Sequence, residues 1–224
     1  MTPSLKWWQR ETLAVTTGGY ALYYLIRKNL SIAMPLLGEI GVSKVQLGAF
    51  LTAGGIVYGI GRFLNGIVAD RNSARKVMAA GLFICAGANI LFGCSDFIAS
   101  ALGGAGSTLA LVWTMGVLWM LNQYFQGMGV GPCIKTLPKW FAPDELSTRQ
   151  SLWNLSHSIG AGAVFALCGW LLIPWFHSWR LCFIVPAAIA AAGGVATLFL
   201  FKDSPEDVGE RPSGRWETGK TQVA

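Results

Sequence analysis

Long apolar stretches separated by short polar connections make up most of the chain from residue 12 to residue 201. A helix needs about 20 mainly apolar residues to cross the hydrocarbon core of a bilayer. Six stretches meet this requirement, and the short connections between them make consecutive helices antiparallel. The pattern therefore predicts an all-α integral membrane protein with six transmembrane helices. The predicted spans are 12–36, 45–69, 77–95, 107–131, 150–174 and 179–201.

The composition agrees with a membrane protein. Only 12% of the residues are charged, and the mean hydropathy is +0.49, whereas a soluble domain has about 25% charged residues. The 28 glycines allow helices to approach closely in a solvent that offers no hydrophobic drive for association. The pairs Gly55/Gly59 and Gly127/Gly131 have the spacing of such packing faces.

The distribution of positive charge predicts the orientation. With the N-terminus in the cytoplasm, 12 of the 17 lysines and arginines fall in cytoplasmic segments, and only Lys44 and Arg180 fall on the opposite side. Positive residues concentrate on the cytoplasmic side of membrane proteins. We therefore expect both termini to be cytoplasmic, and we assign the net charge of +6 to orientation rather than to nucleic-acid binding. The polar segment 202–224 is expected to be a disordered cytoplasmic tail.

One arginine lies within the first predicted span. Arg27 shares a helix face with Tyr20 and Tyr24. No Asp or Glu occurs in any predicted span, and Glu39 lies in the following loop. A guanidinium without an internal counter-ion matches phosphate or carboxylate in bidentate fashion. The alternative is that Arg27 extends to the interface together with Lys28, and the sequence leaves a site role for Lys28 open.

A second arginine lies within the second span. Arg62 has the helical spacing to share a face with Tyr58 and Asn65. The alternative is again that its side chain reaches the headgroups, because Asp70 is only two turns away.

The fifth span contains a histidine. His157 is spaced to share a face with Trp153 and Asn154. A lone histidine in a membrane often serves helix contact, but beside arginines and without an acid it is also a candidate phosphate ligand. The only other histidine is His177 on a different segment, so a metal site is not expected. The sequence has neither a phosphate-binding nucleotide loop nor an intramembrane carboxylate, and it therefore predicts no enzyme activity and no cofactor.

The loop between the second and third spans resembles the signature loop of the major facilitator superfamily. The matching residues are Gly66, Asp70, Arg71 and Arg75. Further segments resemble the organophosphate:phosphate antiporters of that superfamily, including the hexose-phosphate and glycerol-3-phosphate transporters. These segments are 23–29, 125–129 with 132–133, 153–157 and 202–205.

The resemblance implies a fold and a set of site residues. The chain corresponds to the N-terminal six-helix half of a twelve-helix transporter. Arg27 takes the place of one of two phosphate-binding arginines, Arg62 stands where the family usually has lysine, and His157 takes the place of a pocket histidine. The residues that the resemblance places along the cavity are Tyr20, Tyr24, Tyr58 and Asn154.

The resemblance also implies a function. Such a protein exchanges an organophosphate, for example a sugar phosphate, for inorganic phosphate in the bacterial inner membrane. Because alternating access requires two halves, we expect the chain to need a missing or separate C-terminal six-helix half and not to transport alone. The alternative is a transporter-like sensor that binds sugar phosphate and signals to a membrane partner.

Overall fold

The computed structural model describes residues 3–104 and 106–210, and all regular structure in these ranges is helical. Two π-helical segments, Ser100–Gly104 and Phe165–Leu172, and one 3-10 turn, Pro205–Val208, accompany the α-helices. The α-helices are α1 (Pro3–Leu25), α2 (Asn29–Glu39), α3 (Lys44–Arg71), α4 (Ala74–Gly93), α5 (Ser95–Ala99), α6 (Thr108–Gln126), α7 (Val130–Trp140), α8 (Pro143–Asn154), α9 (Ser156–Val164), α10 (Ile173–Phe176) and α11 (Leu181–Leu200).

Four helical stretches of the described ranges are long and apolar enough to cross a membrane. They are Lys44–Arg71, Ala74–Gly93, Pro143–Phe176 and Leu181–Leu200, which correspond to the second, third, fifth and sixth predicted spans. The predicted spans 12–36 and 107–131 are each divided between two shorter helices, α1 with α2 and α6 with α7. The number of six spans and the cytoplasmic position of both termini therefore stay predictions.

The first predicted span is interrupted at residues 26–28, between α1 and α2. Two buried amides bind the carbonyl oxygen of Ile26 from outside the helix: Asn89 and Asn122 each donate from Nδ2 at 3.2 Å. Asn29 Nδ2 in turn donates to Asn89 Oδ1 at 2.7 Å. Because an unpaired carbonyl inside a membrane costs several kcal/mol, these asparagines make the break possible.

Glycines bring the helices around the break close together. A Cβ at Gly61 of α3 would collide with the backbone of Tyr124 in α6, and a Cβ at Gly160 of α9 would collide with the carbonyl oxygen of Ala21 in α1. Gly127 packs against Gly61 in the same contact. Gly55 and Gly59, which the sequence suggested as a packing face, instead have open space around their Cβ positions.

The polar segment after α11 is partly folded, which differs from the predicted disorder of residues 202–224. Asp203 accepts hydrogen bonds from the backbone N–H groups of Ala74 at 3.1 Å and Arg75 at 2.8 Å, and so caps the N-terminus of α4. The carbonyl oxygen of Lys202 accepts from the indole of Trp140 at 3.3 Å. The segment 202–210 therefore packs on the bundle, whereas residues 211–224 lie outside the described residues.

A lysine of α7 caps the other helix end at the signature loop. Lys135 Nζ donates to the carbonyl oxygens of Ala69, Asp70 and Asn72 at 2.8, 2.9 and 2.8 Å. A cation at this position stabilises the C-terminus of α3. Each helix end at this loop is therefore capped by a side chain from a distant segment of the described residues. Lys135 of α7 caps the end of α3, and Asp203 after α11 caps the start of α4.

Candidate functional site

Arg27 lies at the break between α1 and α2, where its guanidinium covers an aromatic ring of α3. The guanidinium carbon is 3.7 Å from the ring centroid of Tyr58 and 5.7 Å from that of Tyr24. Arg27 and Tyr58 are both partly buried. A cation over an aromatic face is attracted by the ring quadrupole, so Tyr58 holds the guanidinium of Arg27 against α3.

A group of aromatic side chains continues from Arg27 along α1. Tyr20 stacks on Trp153 with ring centroids 4.9 Å apart and contacts Tyr24 edge to face at 5.4 Å. His157 lies 5.3 Å from Tyr24 and 6.2 Å from Tyr20. The structure therefore brings Arg27 and these rings from α1, α3, α8 and α9 into one cluster, which we call the Arg27 cluster.

The close helix approaches explain why these side chains meet. Gly160 lies three residues after His157, and its contact with Ala21 fixes α9 against α1 between Tyr20 and Tyr24. Gly61 lies three residues after Tyr58 and brings α3 against α6. A side chain at Gly160 would push α9 away from α1 and separate His157 from Tyr20 and Tyr24.

The charge around Arg27 is uncompensated within the described residues. Their ion pairs are Arg149–Glu145, His177–Glu39 and Arg180–Asp96, and none involves Arg27. Glu39, the acid nearest to the first span, lies 3.3 Å from His177. The Nδ1 atom of His157 is buried and has no hydrogen-bond partner among the described residues. Among the described residues, Arg27 therefore has no carboxylate partner, and His157 has a ring nitrogen without a hydrogen bond.

Three predicted site residues lie outside the Arg27 cluster. Arg62, Lys28 and Asn154 are exposed, and no hydrogen bond or ion pair is formed by their side chains with the described residues. Asn154 lines a cavity of about 450 Å³ together with Gln150 and Ser151, and Trp153 of the Arg27 cluster also borders this cavity. A site role for these three residues stays a prediction.

The signature-loop residues act chiefly through their backbone. The carbonyl oxygen of Asp70 and the N–H of Arg75 are the groups that accept and donate the capping hydrogen bonds described above. The side chains of Asp70 and Arg71 are exposed and form no ion pair with a described residue. Gly66 has open space around its Cβ position.

The buried asparagines behind Arg27 are a part of the site that sequence reasoning missed. Asn29, Asn89 and Asn122 are nearly inaccessible to solvent, with 0%, 1% and 1% exposure. Gln126 Nε2 extends the network to Asn122 Oδ1 at 3.4 Å. An amide side chain in an apolar span costs free energy unless it is hydrogen-bonded. The presence of these asparagines in predicted spans was therefore the sequence signal for the network. Groups of three or more potential metal ligands do not occur in the described ranges.

Comparison with known proteins identifies the family of the chain. The profile of the Major Facilitator Superfamily matches residues 16–223. The glycerol-3-phosphate transporter of Bacillus subtilis is 39% identical over 194 residues, which are 87% of this chain and 41% of that protein. The membrane sensor protein UhpC of Salmonella typhimurium is 31% identical over 98% of this chain and 46% of that protein. The probable hexose phosphate transport protein of Chlamydia pneumoniae is 32% identical over 95% of this chain and 43% of that protein.

A solved structure supports the fold. The bacterial homolog to the human lysosomal transporter Spinster, in an inward-facing and unoccupied conformation, superimposes with a TM-score of 0.65 at 15% identity, covering 92% of this chain and 44% of that one. The chain spans less than half the length of the relatives described above. By their names, these relatives are transporters or a membrane sensor. The chain belongs to the Major Facilitator Superfamily.

Proposed function

We propose that the chain forms the phosphate-binding N-terminal half of a secondary transporter that exchanges an organophosphate, such as a sugar phosphate, for inorganic phosphate. One observation carries this proposal: the guanidinium of Arg27 stacks on Tyr58 without a carboxylate partner among the described residues. Stacking occupies the flat face of the guanidinium and leaves its N–H edge free to donate to two phosphate oxygens.

The neighbouring rings complete the anion site. Tyr20 and Tyr24 carry hydroxyl groups, and His157 has a buried ring nitrogen without a described partner. Hydroxyl and imidazole N–H groups donate to phosphate oxygens, so each supplements Arg27. Arg62 and Asn154 on the exposed faces of α3 and α8, with Lys28 at the start of α2, extend the site toward the remainder of the ligand.

Transport itself requires a wall opposite the Arg27 cluster. Alternating access moves one half of such a transporter against the other around a central ligand. The relatives are more than twice as long as the matched part of this chain, which supports a second six-helix half as the partner. In this arrangement both ends of the N-terminal half are cytoplasmic, since most lysines and arginines then lie on that side.

The relatives support the ligand class. One is a glycerol-3-phosphate transporter and another a probable hexose phosphate transport protein, and their ligands share a phosphate monoester. The test is equilibrium binding of radiolabelled inorganic phosphate to the chain in nanodiscs, with competition by glucose 6-phosphate, glycerol 3-phosphate and unphosphorylated glucose. Competition by both esters but not by glucose is expected. Equal competition by glucose would overturn the proposal.

A second candidate function is sensing. The sensor protein UhpC of Salmonella typhimurium matches 98% of this chain, so the same anion site suits a receptor that signals to a membrane partner. Reconstitution with a C-terminal half distinguishes the two functions. A transporter exchanges labelled phosphate across the vesicle membrane, whereas a sensor binds the ligand and changes the activity of its partner without moving label.

A further inference from the structure

A cavity of about 340 Å³ lies at the end of the bundle where α1 begins. Side chains of the first three turns of α1 form one wall, and the connection after α7 together with α8 forms the other. The lining residues are Lys6, Gln9, Arg10, Leu13, Phe141, Glu145 and Arg149. None of these lining residues belongs to the Arg27 cluster, although Arg149 lies one helical turn before Trp153. Arg27 itself lies 17 residues after Arg10, which is about 25 Å along a helix.

The cavity is positively charged. Three of its side chains are cationic and only one, Glu145, is acidic. Glu145 lies 3.5 Å from Arg149, whereas Lys6 and Arg10 form no ion pair with a described carboxylate. Two positive charges therefore remain over a small, partly enclosed volume, which favours an anion that carries one or two negative charges.

Neighbouring contacts hold the cavity in shape. Gln9 Nε2 donates to the carbonyl oxygen of Trp140 at 2.7 Å, which fixes α1 to the end of α7. The guanidinium carbon of Arg149 lies 5.4 Å from the ring centroid of Phe141. The Nε atom of Arg149 is buried and has no partner among the described residues. The Arg149 side chain as a whole is 38% exposed, so the guanidinium N–H groups that Glu145 does not engage can donate to a phosphate oxygen.

The position along α1 points to a membrane surface. Trp7, next to Lys6, is 56% exposed and contacts Trp8 edge to face. Exposed tryptophans beside basic residues are typical of the level of the lipid headgroups. A group bound in the cavity therefore lies at the depth where the phosphates of lipids are found.

We infer that this cavity binds a phosphate ester independently of the Arg27 cluster, as a regulatory or anchoring site for an anionic lipid headgroup. The shared chemistry is a phosphate oxygen held by Lys6, Arg10 and Arg149, and free phosphate presents the same group. A lipid supplies it at high local concentration, and its acyl chains can pass the exposed Trp7 into the membrane.

The test measures lipids that remain bound to the purified chain in native mass spectrometry, with phosphatidylglycerol and phosphatidylcholine offered at equal concentration. The variant Arg10→Gln/Arg149→Gln removes two cations from the cavity. Lys44→Gln/Lys76→Gln is the matched control, because it removes two exposed cations elsewhere. Glu145→Gln removes the acid of the cavity and should increase binding, which a misfolded variant cannot imitate.

Retention of phosphatidylglycerol should fall about tenfold in the cavity variant, remain unchanged in the control and rise in Glu145→Gln. Calorimetric titration of inorganic phosphate in phosphatidylcholine nanodiscs, on an Arg27→Ala background, identifies the source. Phosphate binding in this titration that depends on Arg10 and Arg149 assigns the cavity to free phosphate. If no phosphate binds, lipid retention that depends on these residues assigns the cavity to a lipid headgroup. Equal lipid retention and equal phosphate binding in all variants would overturn the inference.

Discussion

The guanidinium of Arg27 lies 3.7 Å from the centre of the Tyr58 ring, although the two residues belong to different helices. This contact determines which way the buried charge points, since it turns the cation toward α3 and the aromatic cluster. The function proposed for the chain rests on this relationship, and the predictions below test it and the fold that produces it.

The first prediction concerns the ring under Arg27. Tyr58→Ala removes the stacking partner, so the guanidinium is no longer held in place, and phosphate affinity should fall about threefold to tenfold. Tyr58→Phe keeps the ring and should bind within about twofold of the wild type. Calorimetric titration of phosphate measures both. Equal losses in the two variants would show that the hydroxyl, rather than the stacking, is responsible.

The second prediction concerns the asparagine network behind the break. Asn89→Leu leaves Asn29 without one acceptor and Ile26 without one donor, so the free energy of unfolding should fall by about 2 kcal/mol or more. Asn72→Ala is the control, because Asn72 is exposed and its side chain bonds only the carbonyl oxygen of Val68. Unfolding in mixed micelles measures both. A neutral Asn89→Leu would contradict the role of the network.

The third prediction compares two glycines of one helix. A Cβ at Gly160 would collide with the carbonyl oxygen of Ala21, whereas a Cβ at Gly162 has open space. Gly160→Ala should therefore destabilise the chain by about 1–3 kcal/mol, while Gly162→Ala should be neutral or slightly stabilising. Thermal unfolding in detergent distinguishes the two. If both substitutions had the same effect, α9 would not approach α1 as closely as described.

The fourth prediction concerns the cap on α4. Asp203→Ala removes the acceptor of two backbone N–H groups and should cost about 1 kcal/mol. Hydrogen exchange at Ala74 and Arg75 should increase in the same variant. Asp70→Ala serves as the control, since its exposed side chain makes no described bond. Unchanged exchange in Asp203→Ala would show that the segment after α11 does not cap this helix.

The fifth prediction concerns pH and the ion pair between Asp96 and Arg180. Burial raises the pKa of Asp96, but the hydrogen bond and the charge of Arg180 outweigh it and hold this pKa below the ordinary value of 3.8. A depressed pKa in the folded state contributes stability above the ordinary pKa, and that stability is lost as the pH falls through the lowered value. Unfolding midpoints between pH 6 and pH 3 should therefore decline less in Asp96→Asn than in the wild type.

The sequence predicted the helical class and much of the Arg27 cluster, because helical spacing and the cost of burying charge are local properties. Tyr20 and Tyr24 lie on α1 with the predicted spacing and contact His157, which was found by the same spacing, whereas Arg27 follows at the break just after α1 and still contacts Tyr24. Tyr58 was identified as a residue of the second span, but its contact with Arg27 depends on how α3 packs. Spacing within a helix does not contain that information.

Other features depend on long-range contacts that spacing cannot show. Asn65 was expected on the same face as Arg62, yet it is buried and donates to the carbonyl oxygen of Tyr124 at 2.9 Å, because α3 approaches α6 at Gly61. The break at Ile26 depends on Asn89, which is 63 residues away in the chain. The order of segment 202–210 depends on α4, for which Asp203 is the cap.

The most direct test of the central claim is the dissociation constant of inorganic phosphate for the chain in phosphatidylcholine nanodiscs, measured for the wild type, Arg27→Ala and Arg27→Lys, with Lys44→Ala as the control. We expect saturable binding in the wild type and the control, a loss of about thirtyfold or more in Arg27→Ala, and a smaller loss in Arg27→Lys, which keeps the charge but not the bidentate geometry. Wild-type affinity in Arg27→Ala, with all variants folded, would contradict the assignment of the anion site to Arg27.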